Sequence, residues 1–295
     1  MEWKGRRQSR NIEDRRGQAG RGFGGGPGGR PVRTAQVGGL GAVVVIVLAL
    51  FLGVDPSQFL GGQSEPGSLT VEGQAELTEA DRQAGEFVAV TLADTEEIWS
   101  TVFRDQLNRS YTPTTLVLFK DHTPSACGGA SEATGPFYCP ADKKVYLDTS
   151  FFTTLSQRLG AKGDFAAAYV VAHEVGHHVQ DELGILGKAN QIRQQVGEAE
   201  SNEISVRIEL QADCLSGIWA RAAAKELGTI EPGDLEEAVN AARQIGDDTL
   251  QANAGRRPMP HTFTHGTSEQ RSRWFLIGLK SGRIADCDTF SSNDL

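Results

Sequence analysis

A chain of 295 residues, 39% hydrophobic and 23% charged, holds enough apolar material for a buried core, but its N-terminal third is poor in it, so one catalytic domain of about 200 residues is expected. The net charge of −9 is unevenly spread: residues 1–36 carry nine Lys/Arg against three acids, which leaves −15 on the rest. An acidic body repels phosphate, and this excludes a nucleic-acid role for it.

Arg16 to Pro31 (RGQAGRGFGGGPGGRP) is too rich in glycine to order itself, and residues 1–36 read as a basic, disordered cytoplasmic tail. Its RGG-like look raises contact with RNA or anionic lipid as one alternative role for the protein. Val37 to Val54 (VGGLGAVVVIVLALFLGV) has no charge and would span roughly 27 Å as a helix, which suits a bilayer core. A cleaved signal peptide also starts with a positive stretch and an apolar run, but here the leader is long and no A-x-A site follows. The expectation is one uncleaved transmembrane anchor, with the tail cytoplasmic by the positive-inside rule and the body periplasmic or extracellular. Residues 55–80 then form a flexible linker and residues 81–295 the domain.

Between Asp81 and Phe103 apolar residues recur at helical spacing, with a break expected around LADT, Leu92 to Thr95. TTLVLFKD, Thr114 to Asp121, reads as a strand, and FYCPADKKVYLD, Phe137 to Asp148, as a hairpin turning at PADK. Asp164 is the expected N-cap of a buried helix that Gly184 and Gly187 end. Further helices are expected over 202–224, 234–251 and 268–280, the last opened by a capping box between Thr267 and Gln270. The fold class is therefore α+β, mostly α, with a small sheet or hairpin, preceded by the transmembrane helix.

The chemistry lies in VVAHEVGHHVQ. His173 and His177 are one helical turn apart and share a face, so two imidazole nitrogens can meet at one point, and Glu174 adds a base. Such an HExxH pair is half of a zinc site. The third ligand does not follow the HExxHxxGxxH pattern, because Gln180 and Leu183 stand at its diagnostic places. His178 lies about 100° around the helix from His177 and cannot join the same tetrahedron. ELQAD supplies a better candidate: Glu209 and Asp213 share a face, the first to bind metal, the second to hydrogen-bond a ligand imidazole, His173 foremost. Glu203 is the reserve ligand. For the developing oxyanion His265 is the first choice, with His261 and Tyr146 behind it, and His122 and His178 receive no role. KVYLD is taken as an edge strand on which a peptide could lie.

All four cysteines follow the apolar run. Two disulfides are expected, out of three connectivities: Cys127 with Cys139 closing a short loop, and Cys214 with Cys287 tying distant segments. Four reduced thiols are the alternative. A cysteine-ligated zinc is disfavoured because no C-x-x-C pair occurs.

The blocks LADTEEIW, TPTTLVLF, GPFYCPADKKVYLD, AHEVGHHVQ, ELQADC and THGTSEQRSRWF together resemble the bacterial neutral zinc metallopeptidases, with a zincin-like, gluzincin-type HExxH plus ExxxD arrangement. The resemblance covers essentially the whole chain after the leader. It implies one zinc ion, Glu209 as its third protein ligand, Glu174 as the catalytic residue and a peptide or protein substrate. The rival expectation from another class is an envelope binding or assembly protein whose zinc is structural or non-catalytic.

Overall fold

The computed structural model describes residues 1–17, 77–131 and 134–295. Helix α1 (Glu79–Val102) opens on a capping box in which the Thr78 side chain accepts from the Asp81 amide while the Asp81 carboxylate accepts from the Thr78 amide. The expected break at LADT is absent. Leu92 and Ala93 are core residues, Thr95 Oγ1 donates to the Leu92 carbonyl, and the Asp94 carboxylate receives both terminal nitrogens of Arg6 at 2.5 and 2.8 Å. The polar residues that look like a helix stop are thus satisfied inside a continuous helix.

Four strands form the main sheet in the order β1-β2-β6-β5: β1 (Ile12–Asp14), β2 (Thr115–Phe119), β5 (Phe137–Cys139) and β6 (Lys144–Asp148). β1 and β6 flank β2 in parallel, and β5 pairs antiparallel with β6 through the turn at Pro140–Lys143. Leu116, Leu118, Val145 and Leu147 face the helical core, whereas Val117, Phe119 and Tyr146 form a second cluster on the opposite face with Ala130. Ala130 belongs to the hairpin β3 (His122–Ser125) and β4 (Gly128–Ser131), and the Cys127–Cys139 disulfide ties that hairpin to β5. KVYLD is therefore not an edge: β6 is an inner strand, and the edges are β1 and β5. Burial on both faces explains why β2 and β6 are apolar at nearly every position, and that composition does not say which neighbours a strand has.

The helices follow as α2 (Phe151–Gln157), α3 (Asp164–Glu182), α4 (Ile185–Arg193), α5 (Glu198–Ala222), α6 (Asp234–Gln244), α7 (Asp247–Asn253) and α8 (Ser268–Ser281). Gly163 rather than Asp164 is the N-cap of α3. Gly184 ends that helix region with a left-handed φ of 74°, while Gly187 lies inside α4. The helix expected over 234–251 is divided in two, with Gly246 capping α7. The α8 capping box is present. The Cys214–Cys287 bond pins the C-terminal segment to α5.

Two expectations about the N-terminus need correcting. Residues 1–17 are not a loose tail, because Ile12, Glu13 and Asp14 pair with Leu116, Val117 and Leu118. The arginines that look solvated find acids: Arg6 with Asp94, Arg7 with Glu96, Arg15 with Glu13 and Arg16 with Asp14. A segment that supplies a strand to the body lies on the same side of any membrane as the body, which overturns the single-pass arrangement with a cytoplasmic tail and an exported domain. Among the described residues no helix is long and apolar enough to cross a membrane, and the apolar stretch Val37 to Val54 lies outside them.

Burial raises the Asp94 carboxyl above its ordinary value despite the opposing pull of Arg6. Removing the guanidinium strands a buried carboxylate. Arg6→Ala is therefore expected to lower stability in urea by roughly 2 kcal/mol, less than a fully buried pair would lose, since Arg6 itself is partly exposed. An unchanged urea midpoint would show that the N-terminal segment is not docked on α1.

Candidate metal centre

α3 and α5 cross at Gly176, the fourth residue of the HEVGH motif. A Cβ there would come within 3.1 Å of the Ala212 carbonyl oxygen, so the missing side chain lets the helix backbones approach. A second close approach brings α8 to α5 at Gly278, where a Cβ would overlap the Cys214 carbonyl. These two contacts set the histidines of α3, the acids of α5 and Arg271 of α8 in one buried layer.

His173 Nε2 stands 3.1 Å from Glu209 Oε2, and His177 Nε2 stands 3.5 Å from Glu209 Oε1. One ligand atom from each of His173, His177 and Glu209 lies within 4.8 Å of the other two. The far sides of both rings are held. His173 Nδ1 lies 2.9 Å from Asp213 Oδ1, close enough to pair but not aligned as a hydrogen bond, and His177 Nδ1 donates to Gln180 Oε1 at 2.9 Å. The Gln180 amide nitrogen donates to the Ile208 carbonyl and to Gln211 Oε1, so the Gln180 oxygen can only accept. The bond to Gln180 thus puts a proton on His177 Nδ1 and leaves its Nε2 facing Glu209, while His173 Nε2 lies in hydrogen-bond range of the same carboxylate. Two imidazole nitrogens and a carboxylate that converge on one point form a donor set in which a cation can take the place of a shared proton, and His₂Glu is a set that zinc takes. The residues fit the ion.

The charges agree. Burial works against it, but Asp213 and Glu209 would raise His173 to a pKa of about 10 if only a proton could fill the gap. Burial also disfavours the Glu209 carboxylate, yet the imidazoles of His177 and His173 hold it well below the usual range. The site is built to hold positive charge.

Asp213 is fully buried. Its Oδ2 receives Arg271 Nε at 2.9 Å, and its Oδ1 receives Arg271 Nη2 at 3.0 Å and the Tyr169 hydroxyl. Burial opposes its charge, but Arg271 and His173 keep its pKa below the ordinary value. Glu174 is also buried, and no hydrogen bond to another described residue ties its carboxyl. Burial raises its pKa against the pull of His177 and His173.

His265 precedes α8 in a loop wrapped around Asp247. That carboxylate accepts the backbone amides of Thr264, His265 and Gly266 through Oδ2, and His265 Nδ1 at 3.1 Å through Oδ1. Burial lowers the His265 pKa, but Asp247 and then Glu209 outweigh it and hold it above the ordinary imidazole value, which puts His265 in the field of the Glu209 carboxylate.

The structure separates other candidates from this cluster. Tyr146 lies on the sheet face turned away from the helices, stacked on Phe137 with its hydroxyl on Asp142. Glu203 pairs with Arg207 at 2.9 Å. His261 sits exposed in the turn Pro260–Thr262, and His178 bonds the Thr112 carbonyl and the Tyr138 hydroxyl. Sequence reasoning missed Tyr169, Gln180, Asp247 and Arg271. Tyr169 and Gln180 carry a signal, since they stand four before His173 and three after His177 on the same helix. Asp247 and Arg271 come from other elements and carry none.

A buried HExxH helix facing a carboxylate on a following helix, with each imidazole anchored behind, is the donor arrangement of a zinc-dependent hydrolase. The chain belongs to the family described as "Putative neutral zinc metallopeptidase", whose family model matches residues 1–290 and so takes in β1 as well as the site. It is 45% identical over 293 residues to the uncharacterized protein YpfJ of Escherichia coli (strain K12), covering 99% of this chain and 100% of that one. It is 42% identical over 259 residues to the uncharacterized protein Rv2575 of Mycobacterium tuberculosis (strain ATCC 25618 / H37Rv), covering 84% and 86% of the two chains. No solved structure matches it.

If Gln180 fixes the tautomer of His177, then Gln180→Ala should weaken zinc binding by about tenfold, the lower end for lost support of a ligand imidazole. Competition with a fluorescent chelator measures this, and an affinity equal to that of the unaltered protein would remove Gln180 from the metal centre.

Proposed function

We propose that this protein is a zinc-dependent peptidase that hydrolyses peptide bonds. The observation that carries the reading is the convergence of His173, His177 and Glu209 on one point beside Glu174. When bound there, zinc supplies an activated water near neutral pH and polarises the scissile carbonyl.

The chain's own residues do the rest. His173, His177 and Glu209 would hold the ion, and Asp213, fixed by Arg271 and Tyr169 and 2.9 Å from His173 Nδ1, would favour the tautomer in which the Nε2 of His173 is free to ligate. Glu174, raised by burial and without a competing partner among the described residues, is suited to accept a proton from the attacking water and to return it to the leaving amine. His265, held by Asp247, is the group we assign to steady the carbonyl oxygen as negative charge develops on it. Three protein ligands among the described residues, rather than the four of a closed structural site, favour catalysis over a purely structural zinc.

Glu174→Gln is expected to retain zinc and to lose hydrolysis of an unstructured protein such as casein by about 10²–10⁴-fold. His177→Ala should lose the metal as well. Zinc content by mass spectrometry beside a cleavage assay tests both, and a Glu174→Gln protein as active as the unaltered one would reject the mechanism. His265→Ala should lower kcat by about 10²–10³-fold with little change in KM. A fall confined to KM would move His265 from the reacting oxygen to ground-state binding.

A further inference from the structure

The helix that supplies Glu209 continues toward its N-terminus along the wall of a cavity of about 320 Å³. Val206 in that wall is one helical turn from Glu209, and Gly266 on the facing loop is next to His265. The lining thus comes within one turn of Glu209 and one residue of His265 along the chain, although no residue of the metal centre itself lines it. Ala199, Pro260, Phe263 and Leu295 complete its apolar lining.

The polar groups around it are largely committed elsewhere. Asn202 donates to the His261 carbonyl at 3.1 Å, Gln270 accepts from the Thr267 amide at 2.8 Å, and Glu203 pairs with Arg207 at 2.9 Å. A polar or charged occupant would give up water for few new hydrogen bonds. An apolar one gains burial against Val206 and Phe263. The volume lies at the small end of the range for ligand pockets, about 300–1,000 Å³, which suits one large side chain rather than several. Leu295 is held in place through its own segment, since Arg207 donates to the carbonyls of Thr289 and Ser292 and Arg273 pairs with Asp294 at 3.1 Å.

We propose that this cavity is a specificity pocket that takes one large apolar side chain of the substrate, such as leucine, methionine or phenylalanine, with Leu295 as the wall that limits its size. The inference rests on the peptidase reading for its ligand, and its test is arranged so that the two can fail separately. A family of capped alanine peptides varied at one position (Leu, Phe, Ala, Asp or Lys) is offered to the zinc-loaded full chain, and binding of the same peptides to the Glu174→Gln protein is measured by calorimetry.

Cleavage and binding should both favour Leu or Phe over Ala, and Val206→Trp, which fills the cavity, should cut that preference by about 10- to 100-fold. Leu295→Ala should shift the optimum toward Phe. Should Val206→Trp melt below the assay temperature, Ala199→Phe fills the same space from an exposed position. An unchanged preference in a folded, cavity-filled variant would overturn the pocket. If the unaltered protein cleaves nothing, yet the Glu174→Gln protein binds the Leu peptide and loses it with Val206→Trp, the pocket stands and the hydrolytic reading falls.

Discussion

A single buried carboxylate, Asp213, joins the parts of this protein that matter for its chemistry. It accepts from Tyr169 on α3 and from Arg271 on α8 and pairs at 2.9 Å with His173 of α3, while its own backbone belongs to α5. Removing so polar a group from water is costly, and it is offset only when each partner is present and well placed. The arrangement tolerates little substitution for that reason. Loss of Arg271 would strand one charge, and loss of Asp213 would strand two groups and free the His173 ring to turn. The close helix crossings at Gly176 and Gly278 serve the same end, because bulkier residues would push apart the three backbones that this carboxylate bridges.

Electrostatics makes the metal centre and its support parts of one system. Asp213 and Glu209 flank His173 on opposite ring nitrogens, so a cation on the Nε2 side would leave the ring's proton on Nδ1, facing Asp213. Arg271 balances Asp213, and what remains is Glu209 with the two Nε2 atoms, a cluster lacking about one positive charge or more. A divalent ion matches that deficit better than a proton does, since it satisfies three donors at once. His265, also held above its ordinary pKa by Asp247 and Glu209, takes up positive charge more readily than a free imidazole, which suits it to anionic oxygen.

The helical half of the fold was readable because its signals are local. The i, i+4 histidines, the ELQAD face one turn long and the Thr267–Gln270 capping box each occupy a few consecutive residues whose geometry the α-helix dictates. What was hidden depends on pairings distant in the chain. Asp247 serves His265 from another helix, and Arg271 reaches Asp213 from across α5. The placement of KVYLD inside the sheet, and not at its edge, is set by β2 and β5 and not by its own residues. LADT misled because Asp94 looks like a helix breaker until Arg6, from the far N-terminus, is seen to neutralise it.

Charge counting failed at the N-terminus for an instructive reason. Nine basic residues in 36 read as solvated tail when taken alone, yet the body carries the opposite charge, and within residues 1–17 Arg6, Arg7, Arg15 and Arg16 all find acids. Closing the loop between Ile12 and its partner Leu116 costs chain entropy that grows only with the logarithm of loop length. Against that cost stand three strand residues, the Arg6–Asp94 pair and the Lys144–Glu13 bridge at 2.7 Å from the inner strand β6. Because Glu13 reaches across β2 to β6, the N-terminal segment braces the strand that packs through Val145 and Leu147 onto the helical core bearing the metal centre. The first residues of the chain thereby contribute to the layer that supports α3, although none of them approaches the histidines.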